Sequence, residues 1–327
     1  MPRVLVTPPL LWTEEWPYRA ILESAGCEIV HPAAIEPIFQ TEGIIEALQG
    51  IDAIIAGVEP FTEEIFARTK LKVVARVGVG YDAVDVPAAT KHGVIVTITP
   101  GTNEHSVAEQ AISLMVGVYR GFPYRDQSVR NGTWNRALLP RLAGKKLGLI
   151  GLGRIGQAVV PRAKGLGLEI LAYDPFVKQS FVDQFEIQLR SLEELLAESD
   201  IVSLHLPATA ETHHLIRAET LRMMKPGSVL INTARGALVK EDDLAAAVAS
   251  GHLMGAGLDV FEQEPLPLDH PFMKLDRVLL SPHTGGLDQQ SLTDMSNLSA
   301  QCVADLAQGV WPEPCVVNPE VKVHWEK

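Results

Sequence analysis

The chain has 327 residues, 46% hydrophobic and 21% charged, with 28 Lys and Arg against 40 Asp and Glu for a net charge of −12. This is the composition of a globular protein of about two domains with a sizeable core. The acidic balance argues against nucleic acid and anionic membranes as partners, since both select basic patches.

The opening MPRVLVTPPLLWTEEW is too short and proline-broken in its apolar part to read as a signal peptide. No window approaches about 18 uninterrupted apolar residues. The three cysteines, Cys27, Cys302 and Cys315, are scattered and show no CxxC spacing. Neither a disulfide framework nor a thiolate zinc site is indicated, so a soluble protein of a reducing, cytoplasmic setting is expected.

Short β-branched runs at 3–7, 28–30, 52–56, 72–77 and 94–98 alternate with helical patterns at 14–25, 43–49 and 62–69. In the last, Phe61, Ile65 and Phe66 recur at helix spacing. Such alternation predicts a parallel sheet covered on both faces. A long helix is predicted over 103–120, with Asn103 at the N-cap position and Val107, Ala111, Leu114 and Met115 on one face. Residues 121–145 read as a polar stretch containing Gly and Trp. A second series then places strands at 147–151, 169–173, 200–205, 228–232, 255–260 and 278–281, with a last helix over 288–308. There is no internal repeat. The predicted class is α/β, with two doubly wound parallel-sheet domains. The last helix follows the end of the second series, so it is expected to return to the first domain and make that domain discontinuous.

The segment KKLGLIGLGRIGQAVV carries Gly151, Gly153 and Gly156 as GxGxxG between an apolar strand and a helical pattern. Gly151 allows the tight turn, Gly153 a close approach to a pyrophosphate, and Gly156 close helix–strand packing. The pyrophosphate would rest on the helix N-terminus. Asp174 ends the next strand, 18 residues after Gly156. A carboxylate there accepts from ribose hydroxyls and repels a 2′-phosphate, which favours NAD over NADP.

Three polar residues follow at the ends of later strands: Arg235 in NTARGALV, Glu264 or Glu262 in LDVFEQEP, and His283 in SPHTGG. Ligands of open α/β sheets bind outside the carboxyl ends of strands. Arg offers a fixed fork for a carboxylate. His moves a proton near neutral pH, and a nearby Glu would orient the imidazole.

In chain order, RVGVGYDAVD (76–85), NEHSVAEQA (103–111), GLGRIG, NTARG, LDVFEQEP and SPHTGG resemble the D-isomer-specific 2-hydroxyacid dehydrogenase family, most of all its phosphoglycerate dehydrogenase branch. The resemblance implies a flavodoxin-like substrate domain from 1–101 and 287–327 and a Rossmann NAD-binding domain at 102–286. It assigns Arg235 to substrate binding, His283 to acid/base work, and the Glu directly before Pro, Glu264, to the trio. It further assigns the Val79 and Gly80 backbone to the substrate carboxylate. Dinucleotide contacts fall on Arg154, Ile155, Asp174, Leu206, Thr233, Ala234, Asp259, His283, Gly285 and Gly286. The implied reaction is reversible hydride transfer between a D-2-hydroxy acid and NAD.

Arg76 and Arg136 lie where the phosphoglycerate branch has arginines, but IIAGVEP lacks a third. The substrate is therefore open between 3-phosphoglycerate and glyoxylate or hydroxypyruvate. With 327 residues, no appended regulatory domain is expected. A non-enzymatic NAD(H)-sensing protein and a hydrolase with tightly held NAD are the rival classes. No metal site is expected. His213 and His214 lack Cys or carboxylate companions at ligand spacing and read as a solvated helix start. The 103–145 segment, apolar along one face, reads as a homodimer surface.

Overall fold

The computed structural model describes residues 1–325. They form two compact units, Met1–Asn103 joined by the chain from Asp288 onward, and Glu104–Leu287.

The first unit holds β1 (Arg3–Val6), β2 (Glu28–Val30), β3 (Ala53–Ala56), β4 (Val73–Arg76) and β5 (Ile95–Thr97). All pair in parallel, in the order β2-β1-β3-β4-β5. Because strand side chains alternate faces, Leu5, Ile54, Val74 and Val96 enter one apolar cluster. Val4, Ile55, Ala75 and Ile95 enter another on the opposite face. The helix Gln289–Ala307 covers that second face with Leu292, Met295, Ala300 and Val303. Ser299 Oγ donates to Arg76 O at 2.9 Å. Asn318, buried, accepts from Val96 N–H at 2.9 Å and donates to Val94 O at 2.9 Å, which ties the last segment to β5.

The second unit holds β6 (Lys146–Ile150), β7 (Glu169–Tyr173), β8 (Gln188–Leu189), β9 (Ile201–Leu204), β10 (Val229–Asn232), β11 (Gly255–Leu258) and β12 (Val278–Leu280). The parallel order is β12-β11-β10-β9-β6-β7-β8, so the direction of winding reverses between β6 and β9. That reversal opens a crevice at the carboxyl ends of the strands. The helix Glu104–Arg120 lies against β10, β11 and β12. Two glycines permit the approach: a Cβ at Gly257 would sit 2.8 Å from Leu114 Cβ, and one at Gly117 would sit 2.6 Å from Leu279 Cδ2.

Several local expectations change. The first helix begins only at Tyr18, after Pro17. Residues 121–145 contain a further helix, Phe122–Arg130, started by Gly121 in the left-handed region (φ 62°) and Pro123 in its first turn. The edge strand β8, two exposed residues long, is too short to show any period. His213 and His214 lie on a turn, and the next helix starts at Ala218. Among the described residues no helix is long and apolar enough to cross a membrane.

Candidate active site

The glycine loop after β6 has the geometry of a phosphate cradle. Gly151 sits at φ 99°, and a Cβ there would lie 2.3 Å from His205 O, so only glycine fits. A Cβ at Gly156 would lie 2.4 Å from Gly151 O, which presses the first turn of the helix Arg154–Gly165 onto the loop. At Gly153, by contrast, a Cβ would meet nothing within 4 Å, so this face of the loop is open. Arg154 and Ile155 occupy the first helical turn, where backbone N–H groups lack intrahelical acceptors.

Asp174 follows β7 and ties the loop in place. Its Oδ2 accepts from Leu152 N–H and its Oδ1 from Phe176 N–H, both at 2.7 Å. Each oxygen retains a further lone pair for a sugar hydroxyl. Thr233 follows β10, and its buried hydroxyl has no hydrogen-bond partner among the described residues. A buried orphan of this kind marks a place for a ligand group. Leu206, partly buried, follows His205 beside Gly151. Open space at Gly153, exposed helix donors, an acid at Asp174 and an orphaned hydroxyl fit a dinucleotide.

The polar trio converges farther along the same edge. His283 Nδ1 lies 2.7 Å from Glu264 Oε2. Burial, the largest influence on Glu264, raises its pKa. It is outweighed by the His283 hydrogen bond, the Phe261 N–H and the positive charges of His283 and Arg235, so the carboxyl ends below its ordinary range. An ionised Glu264 can only accept, so His283 Nδ1 carries the proton and Nε2 is left for a substrate. The His283 side chain is 42% exposed. Its backbone stands at φ 52°, a left-handed conformation for a residue with a Cβ. Its N–H donates to Asp259 O at 2.8 Å, which holds it there.

Residues 112–285 match the profile of the family described as D-isomer specific 2-hydroxyacid dehydrogenase, NAD binding domain. The chain is also 42% identical over 286 residues to a glyoxylate reductase of Korarchaeum cryptofilum, an alignment covering 85% of this chain and 86% of that protein. This chain belongs to the D-isomer specific 2-hydroxyacid dehydrogenases. It is 47% identical over 225 residues to a D-3-phosphoglycerate dehydrogenase of Mycobacterium bovis, covering 68% of this chain but only 42% of that longer protein. Among solved structures, the D-lactate dehydrogenase of Aquifex aeolicus, complexed with NAD and lactic acid, superposes with a TM-score of 0.84 at 28% identity. That match covers 96% of this chain and 98% of that one. The chain is thus an NAD-dependent oxidoreductase of 2-hydroxy acids, with a Rossmann NAD-binding unit.

Several residues that position the dehydrogenase trio escaped sequence reasoning. Gly236 is one: a Cβ there would lie 1.9 Å from the Phe261 carbonyl carbon, so the turn after Arg235 rests directly on the backbone leading to Glu264. Asn232, buried, accepts from Ala234 N–H at 3.0 Å and donates to Arg235 O at 2.8 Å, clamping the turn. Gln110, on the helix Glu104–Arg120, donates to Ser281 Oγ at 2.8 Å. The only sequence signal for these was their place within NTARG and NEHSVAEQA.

Asp259, assigned by resemblance to the cofactor, also holds the loop that carries His283. Its buried carboxylate accepts from Ser281 Oγ at 2.5 Å, Thr284 N–H at 3.0 Å and Gly285 N–H at 2.8 Å. It organises the His283 loop. The Gly285 N–H, expected near the cofactor, is therefore buried and taken; Gly286 follows it, partly exposed.

In the first unit Arg76 is buried rather than projecting, and its Nε donates to Gly80 O at 3.1 Å. It shapes the Val79–Gly80 loop, whose neighbour Gly78 exchanges hydrogen bonds with Thr99. Arg136, in the second unit, is exposed.

Proposed function

We propose that Arg235, Glu264 and His283 carry the reversible oxidation of a D-2-hydroxy acid, with the 2.7 Å contact between His283 Nδ1 and Glu264 Oε2 as the supporting observation. Arg235 holds the substrate carboxylate; for the Val79–Gly80 backbone of the first unit the resemblance implies the same task. In oxidation, neutral His283 takes the hydroxyl proton on Nε2; in reduction the imidazolium returns it. Glu264, ionised, stabilises the imidazolium and fixes the ring. NAD, when bound, supplies the hydride acceptor or donor. The Gly151–Gly156 loop, Asp174, Leu206, Thr233 and Ala234 would hold it, with Asp259, Gly285 and Gly286 shaping the loop beside it.

Of the two substrate readings, an unphosphorylated 2-oxo acid is favoured. Glu59, just beyond the carboxyl end of β3 and so on the same sheet edge as the Val79–Gly80 loop, is only 2% exposed, and its Oε2 has no hydrogen-bond partner among the described residues. Its carboxylate lies over Gly57. A phosphate brings about −1.5 to −2 charges, and an acidic side chain at that edge offers it no cationic partner. The test compares kcat/KM for NADH oxidation with glyoxylate, hydroxypyruvate, pyruvate and 3-phosphohydroxypyruvate. A preference for the phosphorylated acid would overturn the substrate reading, and no turnover on any of them would overturn the enzyme reading.

The assembly we infer is a homodimer. Phe122, Val129, Trp134 and Leu138 are exposed at 58%, 56%, 76% and 99% along residues 122–138, an apolar run that a second copy would cover. Light scattering that returns a monomer at micromolar concentration would sink this. Three free, buried thiols fit a cytoplasmic setting, and recovery of the protein outside the cytosolic fraction would count against it.

A further inference from the structure

Beyond the dehydrogenase site, the second unit gathers two imidazoles and a carboxylate at its surface. His213 and His214 are consecutive, and in an extended chain their side chains would point to opposite sides. Here His214 stands at φ 51°, in the left-handed region, and the two rings lie tilted against each other, with centroids 3.9 Å apart and 35° between their planes. Glu262 comes from a separate loop, and its Oε1 lies 2.6 Å from His214 Nε2. One donor atom from each of the three residues lies within 4.8 Å of the other two. Among the described residues no other group of three His, Cys, Asp or Glu side chains comes this close to sharing one ion.

The backbone holds this arrangement from both sides. His214 N–H donates to Ala237 O at 2.8 Å and His213 N–H to Thr209 O at 2.9 Å. Glu262 N–H donates to Oε1 of the buried Glu241 at 2.9 Å. A left-handed non-glycine residue is strained and persists where the surroundings enforce it. The cluster is open to solvent, with His213 and Glu262 exposed.

We propose that His213, His214 and Glu262 form a binding site for a divalent cation of the zinc class. Two imidazole nitrogens and one carboxylate oxygen are a borderline donor set, suited to zinc rather than to magnesium or calcium. Ligands around tetrahedral zinc, at about 2.0–2.1 Å from the ion, stand roughly 3.3 Å apart. The three donors therefore need only small side-chain movements, with the His214–Glu262 pair opening slightly to admit the ion. A water would complete the shell. The ion would bridge the loop after β9 to the loop that carries Glu264, two residues beyond Glu262, and so steady it.

The test is calorimetric titration of the full chain with zinc chloride, without NAD or substrate, and with magnesium chloride as the control. The expected result is saturable one-to-one zinc binding in the micromolar range or tighter, no magnesium binding in that range, and a melting temperature raised by zinc. His213→Ala removes a ligand that makes no hydrogen bond through its ring, and is expected to weaken zinc binding by about tenfold or more. Glu262→Gln is expected to do the same. Circular dichroism confirms that the variants fold. Absence of saturable zinc binding to the wild-type chain overturns the site, as does unchanged affinity in both folded variants.

Discussion

At the scale of single residues, the chemistry rests on a histidine in an uncommon backbone conformation. His283 at φ 52° is held by its N–H bond to Asp259 O and by Glu264 on Nδ1. Asn is among the few residues that tolerate the left-handed region. His283→Asn should therefore keep the loop while removing the group that moves the proton. General acid–base catalysis contributes about 10²–10⁴-fold. The variant is expected to lose at least about 100-fold in kcat with NADH affinity unchanged, as read by steady-state kinetics and fluorescence titration. Turnover within a few-fold of wild type would remove His283 from its role.

The elements set the distances that these residues exploit. The turn after β10 lies on the backbone after β11 because position 236 has no side chain. Gly236→Ala would put a methyl group 1.9 Å from the Phe261 carbonyl carbon. Overpacking of this kind typically costs about 1–3 kcal/mol, and it separates Arg235 from Glu264. A lowered urea midpoint together with a lowered kcat/KM is expected, and an unchanged midpoint would show that the contact relaxes freely. Much at this scale was legible from the sequence. Strands buried on both faces announce themselves as apolar runs, and Arg235, Glu264 and His283 stand at strand ends as their positions imply. What stayed hidden has specific causes. β8 is too short for a period, and the helix Phe122–Arg130 buries none of its residues, so no apolar stripe marks it. Gln110 and Asp259 act on a loop that only the folded sheet brings to them. The partnership of His214 with Glu262 spans 48 positions and has no local signal.

For the whole molecule, folding and proton binding are linked through His205. Desolvation lowers its pKa from 6.5 to about 4, and Nε2 pairs with Ser203 Oγ at 2.9 Å. The folded state thus holds fewer protons than the unfolded chain between those values. The contribution of His205 to stability is full above pH 6.5 and falls as pH drops toward 4. At about 1.36 kcal/mol per unit, roughly 3 kcal/mol is lost across that window. Denaturant titrations at pH 7 and pH 5 should show the loss, and His205→Asn should flatten it; an unaltered slope in that variant would assign the effect elsewhere. The split first unit has a different consequence, for synthesis. The helix Gln289–Ala307 supplies Leu292, Met295 and Val303 to the face that Val4, Val6 and Ile55 begin. The ribosome therefore releases every residue of the second unit before the first can close its core. Translation makes the N-terminal segment wait with one sheet face bare, and a nascent chain stalled before residue 289 is the form most prone to aggregate or to recruit a chaperone.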